Sequence, residues 1–426
     1  MKVYKFGGAS VKNAAAVRNV AAILNDFEES PLVVVISAMG KTTNALEGVL
    51  NSFWNGDDFE TPLATVKQYH TGIMAELFPN KTLDIWQQVD AIFDEILHRL
   101  KNESSGNYDF AYDQLVGYGE ILSTRIVSAY LSISGYRHIW MDARDLIYTD
   151  ALYREARVDF EKTEKAVKLK LLPVLKKTTV LTQGFIANAD LNVGDEIITS
   201  TLGREGSDYT ASILASATEA DELVIWKDVE GVLNADPHRF SGTVKFDELS
   251  YSDAVEMTYY GASVLHPKTI KPVENKHIPL HVKSFLNPLA KGTYIRSDSA
   301  SRTDVPVIIL KENQLLFSLS TRNLSFIAEE NIRRIFEEVV RYGIKVNTMQ
   351  NSAISFLICV DDMSQKTAHF SEALSEEFKI SRTQGLQLLT IKNANQDIIS
   401  QLLNNKNILL EMRTGKTSQF VLEKCF

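Results

Sequence analysis

From its first residues the chain alternates short runs of β-branched and aromatic residues with longer stretches of helical periodicity, and nothing else constrains its fold as tightly. Val3 to Phe6 is one such run, Asn13 to Phe27 reads as helix, Leu32 to Ile36 is a second run, and a helical stretch follows Thr43. Strand, helix and strand in that order are most economically packed as parallel strands with helices on the sheet faces, so the expected fold class is α/β. Further strands are expected at Thr179 to Ile186, Glu196 to Ser200, Glu222 to Trp226 and Ile278 to Val282, separated by helices such as Asp208 to Ala217. The sheet then draws on the first 300 or so residues. Between Thr61 and Leu100, Ile85, Val89, Ile92, Phe93, Ile96 and Leu97 recur at helical spacing, with Pro62 and Pro79 as the main breakers. That segment is expected to be a mainly helical insertion.

At 426 residues and 45% hydrophobic content the chain exceeds one compact core and should form two to three domains. The polar, aperiodic stretch RSDSASRTD, Arg296 to Asp304, is the best linker. It divides the chain into expected domains at 1–297 and 305–426. The second should run strand (Leu315 to Ser320), helix (Asn331 to Tyr342), two strands (Ile344 to Met349, Ile354 to Val360), helix (Ser364 to Phe378) and strand (Lys379 to Arg382). A comparable series follows from Leu386 to Leu422.

A net charge of −9 gives no global attraction to a phosphate backbone or an anionic membrane, so nucleic acid is not an expected partner. Cys359 and Cys425 cannot build a disulfide framework for a chain of this size, and no CxxC or HExxH spacing points to a metal cage. The apolar run at Leu32 to Ile36 falls far short of the ~20 residues of a membrane span. A soluble, cytoplasmic protein in a reducing compartment is expected.

Five segments carry candidate chemistry. In VYKFGGAS a strand ends in Lys5, Phe6, Gly7 and Gly8, where free amides favour an anion and Lys5 adds a point charge. A plain turn with a solvated lysine is the alternative. In VVVISAMGKTTNAL, Ser37 and Thr43 follow a buried-type strand and could hydrogen-bond a substrate, or Thr42 or Thr43 could merely cap the next helix. In LVGYGEILSTRI, Glu120 lies on a mainly apolar helical stretch and requires a cation, either a ligand's or a structural partner such as Arg125. In TLGREGSDYTASILA, Arg204 offers a fork for a carboxylate and Ser207 a helix-start hydroxyl, while Asp208 could orient Lys5 or shape a magnesium and water shell. An ordinary helix cap is again the alternative. In VIWKDVEGVLNADPHRF, the charged loop with Lys227, Asp228, Asp236 and Arg239 could reach a nucleotide or simply be solvated.

Taken in order, these segments resemble the aspartate kinase branch of the amino acid kinase family over nearly the whole chain. KFGGAS, VISAMGKTTNAL, GYGE, GREGSDYTA, WKDVEGVLNADP, YGASVLHPKTI and FLNPLAKGTYI follow the family's order. The resemblance implies an amino acid kinase-like open sheet sandwiched by helices, followed by a ferredoxin-like α+β ACT region of two units. It implies ATP-dependent phosphorylation of the β-carboxylate of L-aspartate, the first step toward lysine, threonine and methionine, with magnesium supplied as Mg-ATP and no dedicated protein metal site. Lys5 with the amides of Gly7 and Gly8 would stabilise the transferring phosphoryl group, and Asp208 would organise the centre near Lys5. Arg204 would pair with the α-carboxylate of aspartate and Glu120 with its ammonium, while Ser37, Thr43 and Ser207 position it. Lys227, Asp228, Leu233, Asp236 and Arg239 would serve ATP.

Four positions depart from the family's pattern: Ala9 for Thr, Glu205 for Gly, Leu233 for Tyr beside the adenine, and Ser263 for Lys near the nucleotide. The first two flank the key groups; the last two bear on the ATP half. In the C-terminal region Ala353 stands where Glu is common, the loop TRNLSFIAEENI lacks a usual glycine, and the second unit stops at Phe426 without a terminal helix. A homodimer paired through this region, with a weak or absent response to lysine or threonine, is the expectation. Two rival readings are another acyl-phosphate kinase of the superfamily, acting on glutamate, N-acetylglutamate or carbamate, and a catalytically silent amino-acid sensor.

Overall fold

The computed structural model describes residues 1–27, 31–191, 197–262, 265–299, 305–323 and 325–424. It divides into two compact units, one formed by Met1–Val232, Lys245–Val255 and Val264–Ala300, the other by Leu233–Val244, Glu256–Ser263 and Ser301–Phe426.

The first unit contains β1 (Lys2–Phe6), β2 (Leu32–Ile36), β3 (His138–Met141), β4 (Thr179–Gln183), β5 (Ile186–Asn188), β6 (Thr199–Thr201), β7 (Glu222–Lys227), β8 (Glu248–Ser250), β9 (Leu280–Ser284) and β10 (Thr293–Arg296). Among the described residues eight of these form one sheet in the order β3-β4-β2-β1-β7-β9-β10-β8. The run from β3 to β9 is parallel, whereas β10 pairs antiparallel with β9 and parallel with β8. Every residue of β2, LVVVI, is buried, as a strand covered by helices on both faces must be. Phe6 of β1 stacks on Trp226 of β7 with centroids 5.9 Å apart, tying neighbouring strands through their side chains. The helix Ala14–Asp26 buries Val17, Val20 and Leu24, and Asn13 caps it by accepting the Ala16 amide at 2.8 Å.

Register matters more for function than the strand count. Phe6 lies opposite both Ile36 and Trp226, and Ile36 lies opposite Gln183. The carboxyl ends of β1, β2, β4 and β7 therefore finish side by side, where ligands bind in open parallel sheets. The expected helical insertion is present as Glu60–Leu77 and Asp84–Lys101. The Tyr69 hydroxyl donates to the Lys12 carbonyl at 2.6 Å, fastening the insertion to the segment after β1.

The second unit contains β11 (Val307–Thr321), β12 (Val346–Asn351), β13 (Phe356–Asp361), β14 (Phe378–Lys392), β15 (Ile408–Thr414) and β16 (Thr417–Glu423) in an antiparallel sheet ordered β12-β13-β11-β14-β16-β15. The helices Glu329–Arg341 and Ser364–Leu374 bury Ile335, Val339, Phe370 and Leu374 with Phe317, Phe356 and Phe378. The short strands expected at Leu315 to Ser320 and Lys379 to Arg382 are parts of two 15-residue strands, β11 and β14. Val307 to Lys311 pairs with the far end of β14, while the rest of β11 pairs with its beginning and with β13. The polar break KENQ conceals this continuity, because it is a bulge: the register shifts between Lys311 and Gln314, and Asn313 has φ 54°. Asp361 Oδ1 pins the bulge by accepting from Lys311 at 3.1 Å and from Asn347 and Gln314 at 2.8 Å each.

No helix among the described residues is long and apolar enough to cross a membrane.

Candidate active site

At the end of β1, Lys5 turns into the molecule and is 7% exposed. Its Nζ pairs with Asp208, which is 3% exposed in the first turn of the helix Gly206–Ala217. Lys227, the last residue of β7, approaches the other oxygen of Asp208 at 3.3 Å. One carboxylate thus lies between two lysines carried by adjacent parallel strands. Burial by itself would raise the Asp208 carboxyl, but Lys227 and Lys5 outweigh it and hold the group below its ordinary value. Burial disfavours the Lys227 ammonium too, yet Asp208, Glu205 and Asp228 overcome that and raise it. Both ammonium groups lie against one buried carboxylate, where a point charge acts more strongly on a phosphoryl group than it would in open water.

The glycines after β1 permit a close backbone approach. A Cβ on Gly8 would lie 2.7 Å from the Gly40 carbonyl oxygen and 2.8 Å from that of Ala38, and the Gly40 amide donates to the Gly8 carbonyl at 3.0 Å. The loop after β1 and the loop after β2 are thereby one surface. Ser37 begins the second loop, its amide bonded to the Phe6 carbonyl and its own carbonyl accepting the Ser123 hydroxyl at 2.7 Å. Thr43 is half-buried in the first turn of the helix Thr42–Trp54. The capping alternative is not realised: the N-cap residue is Lys41, without a side-chain cap, and the Thr42 hydroxyl donates back to Met39 at 2.6 Å.

Glu120 is 3% exposed in the first turn of the helix Tyr118–Ile133. Burial pushes its carboxyl up to about 8, although the Ala38 amide and the Lys5 charge act in the opposite sense. Its Oε2 is buried with no hydrogen-bond partner. Arg125, the structural partner considered from sequence, is engaged elsewhere, its guanidinium 3.5 Å from the centre of the Trp140 ring. A buried acid with one free oxygen is an acceptor waiting for a cation or an N–H donor.

Arg204 is exposed just before the helix Gly206–Ala217, and Ser207 is buried within its first turn. The N-cap of that helix is Glu205, with no side-chain cap, so Ser207 is not an ordinary capping serine. Asp228 is exposed at the end of β7. Leu233, Asp236 and Arg239 fall in the second compact unit, where Arg239 pairs with Glu312 at 2.9 Å and Asp236 at 3.4 Å. Ser263 lies outside the described residues.

Three contributors escaped the sequence reading. Gly184 follows β4, and a Cβ there would lie 2.6 Å from Ser207 Cα, so only glycine lets this helix start reach the strand end. Gly119 brings the Glu120 helix against Ala38, Thr42 and Leu46. Glu205, passed over as a flanking substitution, lies in the field of Lys227, Asp208, Lys5 and Arg204. A glycine directly after the β-branched run TVLTQ was the available signal for Gly184; Glu205 had none beyond its neighbours.

Among the described residues no three His, Cys, Asp or Glu side chains cluster as a metal cage would require. The arrangement offers a buried and a half-buried ammonium group for phosphate oxygens, glycine amides beside them, an exposed guanidinium and a buried acid. Such a set suits phosphoryl transfer to a small amino acid, in which positioning and charge neutralisation supply most of the rate.

The family model described as Amino acid kinase family matches residues 1–284. Lysine-sensitive aspartokinase 3 of Escherichia coli is 32% identical over 84% of this chain and 78% of the relative. Aspartokinase 3, chloroplastic, of Arabidopsis thaliana is 31% identical over 100% of this chain and 74% of the relative. The crystal structure of E. coli aspartokinase III in complex with aspartate and ADP superposes with a TM-score of 0.83 at 27% identity, covering 99% of this chain and 96% of that one.

Proposed function

Since the chain belongs to the amino acid kinase family and, within it, to the aspartokinases, we propose that it transfers the γ-phosphoryl group of ATP to the β-carboxylate of L-aspartate. The observation that carries this reading is the Lys5, Asp208 and Lys227 cluster at the parallel strand ends, with the buried acid Glu120, one oxygen of which has no partner, on the helix packed beside it.

In the reaction a β-carboxylate oxygen of aspartate attacks the γ-phosphorus. The bond from that phosphorus to the β,γ-bridging oxygen breaks, and its electron pair leaves on ADP. Lys5 and the amides of Gly7 and Gly8 neutralise the transferring group, Lys227 serves the nucleotide phosphates, and Asp208 holds both ammonium groups in place. Arg204 takes the α-carboxylate of aspartate as a fork and Glu120 takes its ammonium, while Ser37, Thr43 and Ser207 fix its orientation. Magnesium arrives with the nucleotide as Mg-ATP. Asp228 adds to the nucleotide's surroundings in this reading. Residues 1–297 then form the catalytic domain and 305–426 an ACT-like regulatory region through which a cytoplasmic homodimer pairs.

A hydroxylamine trap for acyl phosphate, run with Mg-ATP over a panel of amino acids, tests the assignment. Hydroxamate should form with L-aspartate. Product with glutamate, N-acetylglutamate or carbamate in its place, or with no acceptor, would reject it.

A further inference from the structure

We propose that Glu205 is a specificity-determining residue of the phosphoryl-transfer cluster, one that weakens the grip on the nucleotide's phosphates by setting a second carboxylate among the lysines that hold them. The proposal rests on the aspartate kinase reading above and concerns a residue to which that mechanism assigns no part.

Three observations converge on it. Glu205 has φ 54°, in the left-handed region that glycine enters freely and a long side chain enters at a cost, so a carboxylate is kept where the backbone favours none. Its side chain does not escape to solvent: Oε2 is buried and has no hydrogen-bond partner. The charges that act on it come from three elements, Lys227 at the end of β7, Lys5 near the end of β1, and Asp208 with Arg204 around the start of the helix Gly206–Ala217, and Glu205 stands three residues from the carboxylate that both lysines pair with.

The consequence is a matter of charge. Lys5 and Lys227 are matched by Asp208 and Glu205, two positive groups against two negative ones, so apart from the exposed Arg204 the cluster has no net positive charge to offer a polyphosphate. With Glu205 neutral, one positive charge would be left for the nucleotide. The free oxygen cannot accept from a phosphate, which has no proton to give when fully ionised, and so opposes it. Burial and the neighbouring Asp208 favour the protonated carboxyl, whereas Lys227 and Lys5 oppose it, and on balance proton uptake is eased. The repulsion should therefore relax as pH falls.

Steady-state kinetics of the full chain test this in the wild type, Glu205→Gln and Glu205→Gly, varying Mg-ATP at saturating aspartate and then the reverse. Removal of one partly screened charge should lower KM for Mg-ATP by roughly three- to tenfold in both variants, with KM for aspartate changed by less than about twofold. The ratio of wild-type to Glu205→Gln KM should shrink toward acid pH. An unchanged or raised KM for Mg-ATP, or a change that falls mainly on aspartate, would overturn the proposal. So would an effect in Glu205→Gly alone, which would assign it to relief of the left-handed backbone. Calorimetric titration of the same three proteins with Mg-ADP gives an independent answer if the wild type makes no aspartyl hydroxamate. In that event the functional reading fails, while tighter Mg-ADP binding by Glu205→Gln would still uphold the role of Glu205 and unchanged binding would reject it.

Discussion

Lys5 and Glu120 are the two buried residues whose charge states matter most. Lys5 is held against Asp208 and is almost excluded from water, so its ammonium is preorganised for a charge that develops during transfer. Lys5→Ala should lower kcat by at least ~100-fold with a smaller effect on KM for ATP, and turnover close to wild type would sink the assignment. Glu120 allows a signed prediction about pH. Its folded carboxyl is raised from 4.5 to about 8, so between those values the folded chain keeps a proton that the unfolded chain releases. Its contribution to stability is therefore present at low pH and falls as pH rises toward 8. A substrate ammonium would compensate the ionised form. Aspartate should raise Tm more at a pH above about 8 than near about 6, and Glu120→Gln should abolish that difference. Equal gains at both pH values in the wild type would reject the pairing.

Between elements, the contacts that matter are made by missing side chains. The Gly184 amide donates to the Ile36 carbonyl at 3.0 Å while the residue lies against Ser207, so this position holds the end of β4, the end of β2 and the start of the helix Gly206–Ala217 together. Gly184→Ala should cost about 1–3 kcal/mol in urea unfolding, as overpacking against backbone does, and should also raise KM for aspartate. Gly48 is the control: it lies within the helix Thr42–Trp54 and a Cβ there meets nothing within 4 Å. Gly48→Ala should stabilise by about 0.5–1 kcal/mol. If the two variants behaved alike, the close approach would not be a constraint.

For the whole molecule the question is assembly and control. In the second unit Phe326 is 74% exposed, Val340 78% and Ile354 49%, and β12, which bears the half-exposed Met349, lies at one edge of the sheet. Apolar surface beside an open strand edge is usually covered by pairing. The full chain should sediment as a dimer, and Val340→Glu should shift it toward monomer. The Ile327 amide donates to the Ala353 carbonyl at 2.9 Å, so the loop after Arg322 and the residue that departs from the common Glu lie together. A methyl group there offers no charge to an amino-acid ammonium. Lysine or threonine at about millimolar concentration should change the rate by less than about twofold, since control requires different affinity for two states. Strong inhibition by either would overturn this expectation.

Periodicity and β-branching are local properties, and they made the parallel α/β unit, its helical insertion and the strand ends at Phe6 and Ile36 readable one segment at a time, with β7 running one residue past the expected Trp226. The residue types of the cluster were equally readable, because Lys5 beside two glycines and Asp208 at a helix start have few purposes together. Tertiary structure decided the pairings. Lys5, Lys227 and Asp208 meet only through the register of β1 against β7 and the seating of a helix on Gly184. The sequence left Arg125 open as a partner for Glu120, whereas packing sent it to Trp140 and left the acid buried with a free oxygen. A polar break such as KENQ reads as a loop until the strands on either side supply its hydrogen bonds. Electrostatic partners and close backbone contacts join residues far apart along the chain, and that distance is closed only when the sheet register is set.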